Sequence, residues 1–256
     1  MRLRYGGACR LCGRALPAGM DAVYERGSKT VRCVDCATEA TDAAGAGASA
    51  RREYERRRSS REQRIRTDHP KLGGLIVALS DDPQSTKSWE QGAVGEELMA
   101  QRLTDLPDTF QVLHDRRIPG TRANIDHIAI RPTGVWVIDA KRYVGKRPVL
   151  RIDGGIIRPR VESLRVGGRD GTKLVHGVQS QVARVSAALG NGSAISVTGV
   201  LCFLEADWPL IGGSFSVDGV HILWPRLLIQ RMTDSPPQLL DIDLIHTRLA
   251  NAFPSA

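Results

Sequence analysis

The sequence predicts an α/β fold, and three observations predict it. From Trp89 onward, helical periods of apolar residues alternate with short β-type runs. The 256 residues are 41% hydrophobic and 25% charged, the balance of a globular chain with a real core. Two Cys-x-x-Cys pairs set off a small segment at the start. Composition divides the chain into a cysteine-bearing segment at 1–40, a linker at 41–88 and the main domain at 89–256.

In the first segment, Cys9 and Cys12 are separated by twenty residues from Cys33 and Cys36, a spacing expected of a tetrahedral structural Zn²⁺ site. Such a site would hold together a domain too small for its own core; the combination resembles a zinc ribbon, through which a protein partner is expected. The competing reading, redox-active dithiols, lacks the βαβ context those motifs need. In the linker, small residues (AAGAGASA) lead into RREYERRRSSREQRIR, where residues 51–66 hold eight Arg against three Glu. Phosphate contacts would gain from that excess, and a solvated helix or a disordered run would carry it equally well.

The main domain opens with WEQGAVGEELMAQRLTDL, an amphipathic helix by the spacing of Val94, Leu98 and Leu103. FQVLHDRRI reads as a strand, then NIDHIAI and VWVIDAK as two more around RPTG. Val178, Val182, Val185 and Leu189 mark a second helix, followed by strands at SVTGVLCFL and GVHILW and helices at PRLLIQRM and DIDLIHTRLANAF. Cys202 falls in apolar strand sequence and reads as a packing residue. The longest apolar stretch, LGGLIVAL, is far too short to span a bilayer, and no signal-peptide pattern is present, so a cytoplasmic protein without membrane contact is expected. Arg and Lys exceed Asp and Glu by 36 to 28, giving +8, which favours a polyanionic partner such as nucleic acid.

The NIDHIAIRPTGVWVIDAKRY stretch carries the chemistry. A two-residue Pro132-Thr133 turn pairs Arg131 with Gly134 and, counted back along both strands, sets Asp126 opposite Asp139. Lys141 then shares their face, while Ile125, His127, Trp136 and Ile138 take the other. A glycine-bulged turn would slip this register by one. Two facing carboxylates need a shared proton, a basic neighbour or a divalent cation, and Mg²⁺ is commonly held by one or two carboxylates with waters and phosphates. Lys141 can orient or deprotonate a water, or stabilise charge developing on phosphate. His127 reads as a packing or hydrogen-bonding anchor. The Gly145-Lys146 pair is no phosphate loop, because Ala140 stands where the upstream glycine belongs and Arg147 replaces the Ser or Thr.

GAVGEELMAQRL, VLHDRRIPGTRANIDHIAIRPTGVWVIDAKRYVGK, VHGVQSQVARV and GVLCFLEADWPL together resemble the nuclease-related domain (NERD), a branch of the PD-(D/E)xK restriction-endonuclease-like superfamily. The resemblance runs from about Trp89 to Trp224. It implies a restriction-endonuclease-like mixed sheet flanked by helices, with the zinc ribbon as a separate N-terminal domain. It also implies catalytic roles for Glu96, Asp126, Asp139, Lys141 and Gln181, with Mg²⁺ or Mn²⁺ on Asp126 and Asp139. Asp139 stands where relatives often have Glu. Glu97 competes with Glu96, and Gln179 with Gln181; the flank of each apolar stripe favours Glu96 and Gln181. The expected function is a metal-dependent nuclease acting on DNA. The alternative is a non-catalytic nucleic-acid-binding or adaptor module that keeps the fold as a scaffold.

Overall fold

The structure, a computed structural model of the whole chain, describes all residues except 10–12, 26–29, 35–44, 105, 108, 156–157, 191–192, 211–212 and 235–239. The N-terminal segment forms two small antiparallel pairs, β1 (Gly7–Ala8) with β2 (Ala15–Leu16) and β3 (Ala22–Glu25) with β4 (Thr30–Cys33). Leu3, Cys9, Leu16, Ala22 and Cys33 close a core of their own between them. Two of the four expected zinc ligands, Cys9 and Cys33, are therefore buried together, while Cys12 and Cys36 lie outside the described residues.

The segment read as a linker is largely helical. α1 (Ala48–Asp68) packs along α3 (Gln84–Thr104), with the short α2 (Gly73–Leu79) between them in sequence. α3 begins five residues earlier than the apolar spacing from Trp89 suggests. Its polar first turn carries no apolar stripe to announce it.

The main sheet has six strands in the order β12-β13-β11-β7-β6-β5. β5 (Gln111–Arg117), β6 (Asn124–Arg131) and β7 (Gly134–Arg142) form an antiparallel meander. β11 (Val197–Leu204) and β13 (Val220–Leu223) continue it in parallel, and β12 (Phe215–Val217) closes the edge antiparallel. The sheet is thus mixed. Between β7 and β11 the chain builds a second, three-stranded sheet from β8 (Pro148–Asp153), β9 (Val161–Val166) and β10 (Arg169–Asp170), then crosses over through α4 (Thr172–Leu189). α5 (Pro225–Asp234) and α6 (Ile242–Ala252) complete the chain.

Strand alternation assigns the faces. Ile128, Ile130, Val135 and Val137 pack with Val185 and Leu189 of α4 and Leu249 of α6. Ala129, Trp136, Ile138 and Ala140 pack with Met99 and Leu103 of α3 and Leu228 and Met232 of α5. A period-two pattern buried on both faces of a central hairpin requires helices on both sides, and these four supply them. Cys202 is fully buried on the α3 side, as a packing residue should be.

The β6–β7 register is the tight-turn register: Arg131 pairs with Gly134 and His127 with Ile138. Gly134 sits at φ 139°, where a Cβ would stand 2.8 Å from the Ser196 carbonyl oxygen, so only glycine fits the turn against the neighbouring chain. The expected alternation fails at one residue. Ile125, anticipated on the Trp136 face, packs instead in the cluster of Ile128, Ile118 and Phe253. Opposite this point β5 carries Asp115 at φ 45°, a left-handed residue that interrupts the pleat between the His114–His127 and Arg116–Ile125 pairs.

Candidate active site

The start of β6 and the end of β7 lie against α3. A cleft of about 460 Å³ opens there, lined by Glu96 of α3, Asn124 and Asp126 of β6, and Lys141 of β7. Gly95 lets α3 approach, because a Cβ at this position would stand only 3.1 Å from Arg142 Cβ. The next residue, Glu96, is thereby carried to the cleft. Glu97, its competitor, faces away and pairs with Arg51 of α1, whose Nε lies 3.0 Å from Glu97 Oε1.

One residue beyond the last β6–β7 pair, Asp126 Oδ2 accepts the backbone N–H of Ala140 at 2.9 Å. The side chain is therefore anchored to the strand that bears Asp139 and Lys141. Asp139 is 8% exposed and lies behind the cleft, where its Oδ1 forms an ion pair with Lys141 Nζ. Gln181 of α4 is buried; its Nε2 donates to the Asn124 carbonyl at 3.2 Å, and its Oε1 has no partner among the described residues. Gln179 instead donates to the Asp218 carbonyl on the other side of the helix. Glu96, Asp126 and Lys141 thus line the cleft, while Asp139 and Gln181 support it from behind.

The electrostatics follow from this crowding. Burial, then the negative charge of Asp126 and Asp115, pushes the Glu96 carboxyl up to about 9. Burial and then Asp139 raise Asp126 to about 7, against the pull of Lys141 and the Ala140 N–H. Burial alone would lower the Lys141 ammonium, but Asp139, Asp126 and Glu96 outweigh it and hold the group protonated far above neutrality. Lys141 is therefore a fixed cation rather than a proton acceptor. His127 is fully buried with its Nδ1 2.8 Å from His114 Nδ1, and burial next to that ring drives it well below its usual range. It is an internal anchor.

Asp115 is a residue that sequence patterns did not single out. It is 3% exposed, and its carboxylate accepts the Ser49 N–H and Ser49 hydroxyl, each at 2.7 Å, and the Asn124 side-chain amide at 3.1 Å. It satisfies the N-terminus of α1 from another element and ties that helix to β6. The one visible sign was an acid inside the strand-like run FQVLHDRRI.

The donor set suits a hard divalent cation, since Glu96 and Asp126 bring carboxylate oxygens to one cleft, where burial first and their neighbouring negative charges second favour a bound proton or cation. Among the described residues no group of three or more His, Cys, Asp or Glu side chains is gathered as a ready-made metal site. The arrangement fits one or two carboxylates completed by water and phosphate oxygens.

The family model described as the nuclease-related domain, NERD, matches residues 91–204, a stretch that includes Glu96, Asp126, Asp139, Lys141 and Gln181. Searches of curated proteins and of solved structures each returned no match. Among the described residues no helix is long and apolar enough to cross a membrane.

Proposed function

We propose that the chain is a divalent-metal-dependent nuclease of the PD-(D/E)xK type that hydrolyses DNA phosphodiester bonds. The observation that carries this reading is the convergence of Glu96, Asp126 and Lys141 on one cleft inside a stretch matching a nuclease-related domain. Asp126, with Glu96 or Asp139, would hold Mg²⁺ or Mn²⁺. When bound, the ion would supply Lewis-acid polarisation of a phosphoryl oxygen and acidify a coordinated water.

The protein's own groups do the rest. In hydrolysis a water oxygen bonds to phosphorus and gives up a proton to solvent while the bond to one ester oxygen breaks, that oxygen leaving with the electron pair and taking a proton from solvent, and negative charge grows on the remaining phosphoryl oxygens. Lys141, kept cationic by Asp139, is suited to stabilise that charge without reorganisation. The Ala140 N–H fixes the Asp126 carboxylate, and Gln181 fixes the backbone of β6 two residues upstream through the Asn124 carbonyl. The buried cysteines Cys9 and Cys33 support a structural Zn²⁺ in the N-terminal segment, with Cys12 and Cys36 as the remaining ligands.

The test is cleavage of plasmid, linear and single-stranded DNA, with RNA in parallel, in Mg²⁺ or Mn²⁺. Asp126→Asn, Asp139→Ala and Lys141→Ala should each lower the rate by about a hundredfold or more. Activity unchanged in these variants removes the residues from the mechanism. A second reading, a non-catalytic nucleic-acid-binding module, draws on the Lys141–Asp139 pair, which already neutralises one of the two expected metal ligands. It predicts DNA binding with no products under either metal.

A further inference from the structure

Beyond Asn124 the cleft runs into a second depression of about 290 Å³, the two sharing Ser49, Arg122 and Asn124. Its walls carry Arg52 and Arg56 from α1 and Arg117 and Arg122 from the end of β5 and the loop after it, against one acid, Glu53. We infer that this groove is the track along which the DNA backbone leaves the cleft, with Arg117 and Arg122 as its phosphate-binding cations. The inference rests on the nuclease reading of the adjoining cleft and assigns it a substrate path.

Charge ordering is the first argument. The cleft is lined by two acids, Glu96 and Asp126, and the two β7 cations beside them are already paired, Lys141 with Asp139 and Arg142 with Glu205, so a polyanion bound there finds little unpaired positive charge on that strand. It needs cations immediately beside the site, and this groove supplies them.

The second argument separates structural from available arginines. Arg51 is paired with Glu97; Arg57 is held by Glu53 and lies 5.5 Å over the Trp89 ring; Arg58 pairs with Glu62, and Arg61 with Asp82. The contacts to Glu97, Trp89 and Asp82 fix α1 in place, and the pairs with Glu53 and Glu62 are spent within the helix. On the groove, Arg52 donates to the Ala256 carbonyl and Arg56 grips Glu53, so both add charge with their forks already engaged. Arg117 and Arg122 are exposed, and their guanidinium groups have no partner among the described residues. A guanidinium with its donors free is the group best matched to two phosphate oxygens.

The third argument is rigidity. The Asp115 carboxylate bonds Ser49 on one wall and Asn124 on the other. The loop carrying Arg122 is closed by Ile118 N–H to the Ala123 carbonyl at 3.0 Å and Thr121 N–H to the Ile118 carbonyl at 3.1 Å. The walls are set before a ligand arrives.

The test is fluorescence anisotropy of a labelled DNA duplex, and of the same sequence single-stranded, without added Mg²⁺ or Mn²⁺ to prevent cleavage and across a salt series. R117Q/R122Q should bind about ten- to a hundredfold more weakly near physiological salt and lose about two from the slope of log affinity against log salt. R117K/R122K should recover most of the slope, and R66Q, at the far end of α1, should match the unsubstituted chain. An unchanged slope in R117Q/R122Q, an equal loss in R66Q, or competition by polyglutamate as strong as by unlabelled DNA overturns the inference. Cleavage in Mn²⁺ is scored separately. Cleavage with groove-independent binding removes the track and keeps the nuclease; groove-dependent binding without cleavage removes the nuclease and keeps the track.

Discussion

Removing the Lys141 ammonium would leave Asp139, 8% exposed, as a buried carboxylate without its counter-charge. Breaking one side of a buried pair costs far more than replacing both partners, because the orphaned charge keeps its full desolvation penalty. Lys141→Met should therefore destabilise the fold by about 3 kcal/mol, and Asp139→Asn combined with Lys141→Met should recover much of that loss. Urea unfolding of the two single variants and the double variant measures it; equal losses in Lys141→Met and the double variant would show that the pair is not coupled. Asp115 illustrates a different residue-scale role. Its left-handed backbone is unusual for a non-glycine residue, and its carboxylate is used by three donors from two elements.

At the scale of elements, the site depends on how closely α3 lies on β7. Ala is favoured over Gly in a helix by about 1 kcal/mol, so Gly95→Ala should change stability little, the propensity gain offsetting the tight contact at Arg142. The helix must still move by a few tenths of an ångström, carrying Glu96 with it, and the cleavage rate should fall about tenfold or more. Gly177→Ala on α4 meets nothing within 4 Å and should raise the melting temperature with the rate unchanged. Parallel losses of activity in both variants would separate Gly95 from the site. The same scale explains what the sequence revealed. β5, β6, β7, α4 and the β6–β7 register were legible, because apolar periods and a two-residue turn specify them locally. α1 was not, because polar contacts such as Ser49 to Asp115 and Arg61 to Asp82, rather than an apolar stripe, pin it to the domain. The β8–β9 pair was missed as well; apolar residues stand on its exposed side at Val149, Ile152 and Val161 as well as on its buried side at Leu164 and Val166, so no clean alternation marks it. Glu96 and Asp126 were visible as motif residues, whereas Asp115 was hidden because its partners are 66 residues away at Ser49 and nine away at Asn124.

Across the whole molecule, a chain of net charge +8 sets two half-buried carboxyl groups, Glu96 and Asp126, in one cleft, and their raised proton affinity makes cation binding and folding respond to pH together. Glu96 rises from its ordinary 4.5 to about 9 and Asp126 from 3.8 to about 7, so the folded state binds their protons more tightly than the unfolded chain does. Ionisation therefore opposes folding. Their contribution to stability is fully present below about pH 4 and declines as pH rises toward 7 and then 9. A divalent cation needs the ionised carboxylates and must displace those protons, so its apparent affinity should climb over the same interval. Without added divalent cation, the melting temperature of the unsubstituted chain should fall between pH 6 and pH 9 relative to Glu96→Gln, which has no proton to lose there. Added Mn²⁺ should raise the melting temperature more at pH 8.5 than at pH 6, and Glu96→Gln should flatten that difference. A Mn²⁺ shift of equal size at both pH values, or one that Glu96→Gln leaves untouched, would mean that the cation binds away from these carboxylates.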